Sequence, residues 1–230
     1  MKRIVVSLFA VSLLMTGALF AQNASPDAAA TPDVVIAPAE PTPAAPVAAQ
    51  VAGNTLENML TAFNGESNAQ AKYTEFAKKA DEEGYLGVGS LFRAAAKAEG
   101  VHAANLKAEI EKQGGKAEPK LETPVVKTTK ENLEAAIAGE THETEKMYPE
   151  FKATAETEKQ DMAVVLFGGA AKVEGDHARM YAEALKDLDA MKAGKKDFFV
   201  CLVCGYTTGQ APADKCPVCM SPKEKFEKVN

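Results

Sequence analysis

The stretch LFRAAAKAEGVHA (91–103) recurs as LFGGAAKVEGDHA (166–178). Each copy carries a Glu-x-x-His, Glu99/His102 and Glu174/His177, a spacing that puts both side chains on one helix face. The likeness extends upstream. AFNGES (62–67) matches AIAGET (136–141), and YTEF (73–76) matches YPEF (148–151). The offset is 74 before the tyrosines and 75 from them onward. Two helical hairpins related by duplication predict an all-α four-helix bundle.

Helical periodicity runs through four segments. They cover Leu56 to Ala77, Val88 to Ile110, Leu133 to Phe151 and Met162 to Leu188. Asn54 or Thr55 can cap the first, Gly114-Gly115 stops the second, and the fourth ends near Gly194. Pro149 sits inside the third pattern and is expected to kink it or interrupt its hydrogen bonds. The link from Gly114 to Thr128 has fifteen residues. Extended, it spans about 50 Å, against about 38 Å for a 25-residue helix. It can therefore run the length of the bundle and leave helices two and three parallel, the one long crossover of ferritin-like bundles. A short antiparallel turn, or a link that passes the second hairpin to a neighbouring chain, stays open.

The chain has 230 residues, 46% hydrophobic and 25% charged, which fits a soluble globular protein and argues against disorder. Its formal net charge of −6 argues against nucleic acid as a partner, because a phosphate-tracking surface needs clustered Lys and Arg. Residues 1–53 carry −1, residues 54–194 carry −7 and residues 195–230 carry +2. The positive end is expected to dock on the negative bundle.

Residues 1–21 read as a signal peptide: Lys2 and Arg3, an apolar run from Ile4 to Met15, then small residues up to Ala21. The expectation is an exported, periplasmic protein. A retained N-terminal anchor is the alternative, since the uncharged stretch from Ile4 to Asn23 is about 20 residues, enough to span a bilayer. Residues 22–52 are an Ala/Pro-rich linker, residues 53–194 the bundle and residues 195–230 a small terminal domain.

Seven polar side chains interrupt the inward stripes: Glu66, Glu99, His102, Glu140, Glu143, Glu174 and His177. Five carboxylates in one bundle core would each cost several kcal/mol in desolvation unless cations compensated them. Two ferrous ions would leave about −1, and two ferric ions about +1. One Glu from each of two helices plus Glu-x-x-His from each of the other two is the ligand set of di-metal carboxylate bundles. The halves differ, because Glu143 has Ala69 as its counterpart. The odd carboxylate would make the two metals inequivalent. His142 falls off the stripe and reads as surface. Tyr73 and Tyr148 lie one helical repeat beyond Glu66 and Glu140. They read as hydrogen-bond donors to ligand carboxylates or as buried aromatics, with Pro149 weakening the case for Tyr148.

All four cysteines form two C-x-x-C turns, Cys201/Cys204 and Cys216/Cys219. Four thiolates suit a tetrahedral metal, Fe or Zn, and paired knuckles favour metal over two disulfides.

From Leu56 to Lys228 the chain resembles the rubrerythrin family. The motifs that carry the likeness are AFNGES, EGVHA, GETHE, MYP, EGDH, and Cys-x-x-Cys-Gly-Tyr with Cys-Pro-x-Cys. The resemblance implies a ferritin-like di-iron bundle followed by a rubredoxin-like β/loop domain with iron at the four cysteines. It implies reduction of hydrogen peroxide to water, with electrons from an unidentified donor protein relayed through Cys201, Cys204, Cys216 and Cys219. It implies Glu99 and Glu174 as bridges, Glu66 on one iron, and Glu143 with His177 on the other. His102 and Glu140 would exchange on the first iron. It also implies homodimers, some with swapped helix pairs, in which the terminal iron of one chain approaches the di-iron site of the other. A ferroxidase using the same site, and a binding module with a purely structural terminal domain, are the competing readings. Export departs from the family's mostly cytoplasmic habit.

Overall fold

The computed structural model describes residues 54–230, so the signal, anchor and linker expectations for residues 1–52 lie outside the described residues. Five α-helices carry the bundle: α1 (Thr55–Glu82), α2 (Leu86–Lys112), α3 (Thr129–His142), α4 (Tyr148–Thr157) and α5 (Asp161–Lys186). α1 and α3 both begin with reciprocal capping boxes, Asn54 with Glu57 and Thr128 with Glu131, which satisfy backbone N–H groups that have no partner within the helix. α1 packs chiefly on α2, while α3 and α4 pack on α5, as two hairpins should.

The third predicted helix is two helices. The break comes before Pro149, as a π-helical turn over Glu143–Met147 in which the Tyr148 N–H reaches back to the Glu143 carbonyl. A π-turn holds one residue more than an α-turn. That is the one-residue step in the repeat offset, absorbed inside the helix. Pro149 then sits in the first turn of α4, where its missing N–H costs little.

The link between the hairpins is the long crossover. At its start Gly115 lies beside Leu56, near the beginning of α1. At its end the Thr129 N–H donates to Glu83, just past the end of α1 (2.8 Å). Between them it is pinned to α1 by Asn64, which accepts from the Lys120 N–H, and by Asn68, which donates to the Lys120 carbonyl and accepts from the Glu122 N–H. α2 and α3 are therefore parallel, and a short antiparallel turn is ruled out.

Two apolar clusters fill the bundle. One contains Phe76, Leu91, Phe92, Leu133 and Tyr181; the other contains Met59, Phe63, Leu106, Ile110 and Phe167. The buried carboxylates lie along the helices between them, with Tyr73 and Tyr148 contributed one to each cluster.

After a 3-10 turn (Asp189–Lys192) the chain forms a small antiparallel sheet of order β2-β1-β3, from β1 (Phe198–Cys201), β2 (Thr207–Thr208) and β3 (Phe226–Val229). This region lies on the bundle of its own chain. Arg93 donates to the Asn230 carbonyl, Asn105 donates to the Val203 carbonyl, and the Lys196 N–H donates to Ser90. The ion pair joining the two regions, among the described residues, is Lys97 with Glu227 (2.9 Å). The positive end does lie on the negative bundle, but among the described residues no terminal lysine pairs with a bundle acid: the bundle supplies the cation of the pair, and Phe198 and Val200 join the bundle's apolar cluster beside the hydrogen bonds.

Candidate metal centres

Six of the seven stripe residues are buried: Glu66, Glu99, His102, Glu140, Glu174 and His177. They form two groups of four, Glu66/Glu99/His102/Glu174 and Glu99/Glu140/Glu174/His177, each offering ligand atoms within 4.8 Å of one another. Both groups share Glu99 and Glu174, the geometry of two cation positions joined by two carboxylate bridges. Glu143 lies outside both groups, half-buried at the start of the π-turn. His142 is exposed, as the sequence predicts.

The partition corrects one expectation. Glu140 belongs to the half that holds His177, so it does not share His102's half. Glu143 faces the other half. After burial, it is the strongest charged neighbour pushing Glu66 well above the usual carboxylate range, and His102 is among the groups that pull Glu143 itself back.

The tyrosines are a crossed pair. Tyr73 of the first hairpin donates to Glu140 of the second (2.5 Å), and Tyr148 of the second donates to Glu66 of the first. Pro149 does not weaken the place of Tyr148: the π-turn absorbs the extra residue of the second hairpin and keeps Tyr148 in the register of Tyr73. Tyr181, in α5, packs edge-on against Tyr73 and beside His177. Its equivalence to Leu106 across the repeat concealed that placement.

Each imidazole points Nδ1 into the cluster and Nε2 out of it. His102 Nδ1 lies 2.8 Å from Glu174, and His177 Nδ1 lies 2.8 Å from Glu174 and 3.3 Å from Glu99. Outward, His102 Nε2 is 2.9 Å from the Cys204 carbonyl, and His177 Nε2 is 3.2 Å from the Thr207 hydroxyl. The Thr207 hydroxyl spends its proton on the Gly205 carbonyl, so toward His177 it accepts. Both imidazoles are thus Nε2–H donors with an inward Nδ1 lone pair, the tautomer a metal ligand needs.

A pair of cations fits this chemistry. Both oxygens of Glu99 and Glu174, one oxygen of Glu66 and both Nδ1 atoms are buried without a hydrogen-bond donor or acceptor of their own. Native interiors rarely leave so many polar atoms unpaired. Without metal the cluster holds protons. Burial first, then the like-charged Glu99 and Glu174, keeps Glu140 well above its usual range, and burial with Glu174 pushes Glu143 up to about 8. Glu99 goes the other way, to about 2: burial would raise it, but His177 and His102 outweigh that.

The cysteines are free and gathered. The Sγ atoms of Cys201 and Cys219 are 3.7 Å apart, and those of Cys204 and Cys216 are 3.5 Å apart. Four sulfurs about 2.3 Å from a central ion stand roughly 3.8 Å apart in a tetrahedron, so the cage is metal-sized. The two knuckles match. The Gly205 N–H donates to the Cys201 carbonyl and the Met220 N–H to the Cys216 carbonyl, with left-handed φ of 79° and 61°.

Residues 57–185 match the rubrerythrin family model, and residues 199–227 match the model of the rubrerythrin rubredoxin-like domain. The chain belongs to the rubrerythrin family. Nigerythrin of Nitratidesulfovibrio vulgaris is 39% identical over 175 residues, covering 76% of this chain and 86% of that one. Rubrerythrin-1 of Clostridium acetobutylicum is 34% identical over 185 residues, covering 75% and 93%. Among solved structures, fully reduced, all-ferrous nigerythrin superposes with a TM-score of 0.71 at 38% identity, over 76% of this chain and 87% of that one. A bacterioferritin of Mycobacterium tuberculosis (TM-score 0.54, 19% identity) shares the fold. As a rubrerythrin, the chain has a di-iron carboxylate site and a rubredoxin-like Fe(Cys)4 site, and the two side-chain clusters are where they fit. Within one chain the two centres touch through His102 and the Cys204 carbonyl.

Proposed function

We propose that this rubrerythrin reduces hydrogen peroxide to water, with electrons entering at the four-cysteine iron and passing to the di-iron site. The observation that carries the reading is the direct contact between the two centres: the carbonyl of a thiolate residue, Cys204, holds the imidazole of His102. Bound as a ferrous pair, the irons supply the two electrons that peroxide reduction takes up.

The chain's own residues do the rest. Glu99 and Glu174 hold the two positions together, Glu66 and His102 complete one, and Glu140 and His177 complete the other. Tyr73 and Tyr148 fix one oxygen each of Glu140 and Glu66 and leave the second oxygen free to bind. Glu143 stands on His102's side as the spare carboxylate. A hard anionic ligand suits the ferric ion and a neutral imidazole the ferrous one, so Glu143 and His102 are the pair suited to exchange with redox state. A ferroxidase draws its electrons from its own ferrous substrate and has no use for a wired electron inlet, so the contact at Cys204 favours the peroxidase.

The test is metal analysis and an absorption spectrum of the reduced full chain, before and after one equivalent of hydrogen peroxide. Three irons per chain and faster oxidation by peroxide than by O2 are expected. Faster oxidation by O2 with growth of a mineral core would overturn the reading. Glu99→Ala or Glu174→Ala should abolish the di-iron site, since losing a bridge leaves both cations short of ligands. Cys204→Ser should stall reduction by a donor protein while the bundle stays folded. Export to the periplasm and homodimerisation belong to the same proposal. Fractionation that finds the full-length chain in the cytosol would remove the first, and a monomer in sedimentation the second.

A further inference from the structure

A cavity of about 570 Å³ opens between α5 and the cysteine knuckles. Its inner end is formed by His102 and Tyr148, the two residues that bear on the Glu66 half of the cluster. Its walls are largely apolar, including Leu106, Leu166, Ala170, Val203 and Val218. Of the large hydrophobic side chains exposed among the described residues, Met162, Val165, Val203 and Met220 all line it. Hydrogen peroxide is small and polar and has no use for apolar walls of this extent.

Two local features keep the space open at a cost. Gly169 lines the cavity inside α5, and a Cβ there would meet nothing within 4 Å. Its repeat counterpart is the buried Ala94, and glycine inside a helix costs about a factor of five in stability against alanine. In the second knuckle, Met220 holds a left-handed φ where the first knuckle has Gly205. Its side chain forms part of the cavity wall.

We infer that this cavity admits organic hydroperoxides, seating the alkyl or aryl group against the apolar wall with the O–O group toward His102 and Tyr148. The inference rests on the peroxidase reading and names its substrate class. The reaction is ROOH + 2 e− + 2 H+ → ROH + H2O. The O–O bond breaks, the ferrous pair gives one electron from each ion, solvent supplies both protons, and the alcohol leaves through the same opening.

The test uses the iron-loaded full chain and has two readouts. The first is binding of 2-phenyl-2-propanol, the alcohol of cumene hydroperoxide, followed by calorimetry or NMR. Saturable binding is expected, weakened at least fivefold by Gly169→Leu, whose side chain grows into the cavity. The second is the ratio of rates for cumene hydroperoxide and hydrogen peroxide with the reduced protein. Gly169→Leu should lower that ratio at least tenfold, and Gly169→Ala should lower it less. Thermal melts check that both variants fold, and alanine should melt no lower than glycine. If the alcohol does not bind, or if Gly169→Leu slows both peroxides in proportion, the inference fails. A second copy of the chain covering the cavity would appear as absent binding and counts as failure. If hydrogen peroxide itself does not oxidise the ferrous protein, the peroxidase reading fails instead, and alcohol binding then reports on the cavity alone.

Discussion

Gly205 shows how much a single residue carries. Its φ of 79° is one that a side chain tolerates poorly, and a Cβ there would come within 2.4 Å of His102 Nε2. Backbone geometry and docking both demand glycine. Gly205→Ala is expected to leave the four-thiolate iron in place and to push the terminal region off His102. Stopped-flow reduction of the di-iron site through the Fe(Cys)4 centre should slow markedly, because the hydrogen bond that joins the two centres is lost. An unchanged rate would show that electrons do not use this contact. Thr207 works in the same way on the other imidazole. Its hydroxyl proton is committed to the Gly205 carbonyl, so it can only accept from His177.

The informative element is the π-turn of Glu143–Met147. It absorbs the extra residue of the second hairpin, so Tyr148 reaches Glu66 as Tyr73 reaches Glu140. Deleting Lys146, which is exposed within the turn, should restore an α-helical turn and leave Tyr148 seven residues from Glu140, the spacing that separates Glu66 from Tyr73 in the unbroken α1. Tyr148 should keep its place on Glu66, and iron content should stay near the native value while far-UV circular dichroism stays nearly the same. Loss of iron from the deletion variant would show that the π-turn itself shapes the metal site.

The whole molecule is a bundle whose centre is badly solvated until cations enter. Without metal, Glu143 keeps its proton up to about pH 8, while an unfolded chain loses it near the ordinary carboxylate value. Glu66 and Glu140 are displaced in the same direction, chiefly by burial. His102 and His177 are also raised, because the surrounding glutamates outweigh burial. Over this window the folded state binds more protons than the unfolded state, so the stability of the metal-free chain falls as pH rises from about 5 to about 8. Glu99, held down to about 2, contributes stability above the ordinary carboxylate range and loses it only in acid, outside that window. The metal-free protein should therefore melt at least about 5 °C lower at pH 8 than at pH 5. The iron-loaded protein should not show this fall, because metal replaces the protons. Equal pH dependence of the two forms would mean that the cluster is not where the cations bind.

The sequence by itself determined the duplication, the four helical stripes, the seven polar residues on them and the two cysteine knuckles. Each is a local pattern: helical period and ligand spacing are set by backbone geometry within a few turns. It also contained the one-residue step in the repeat offset, but a step in register does not say what shape absorbs it. Tertiary structure decided that the step is a π-turn, that Glu140 stands with His177 while Glu143 faces Glu66, and that the crossover runs the length of α1. It alone placed the terminal region over the di-iron cluster, with Cys204 and Thr207 accepting from the two histidines. Those outcomes depend on which faces meet across elements far apart in the chain. Packing free energy summed over the whole bundle selects that arrangement, and no local spacing encodes it.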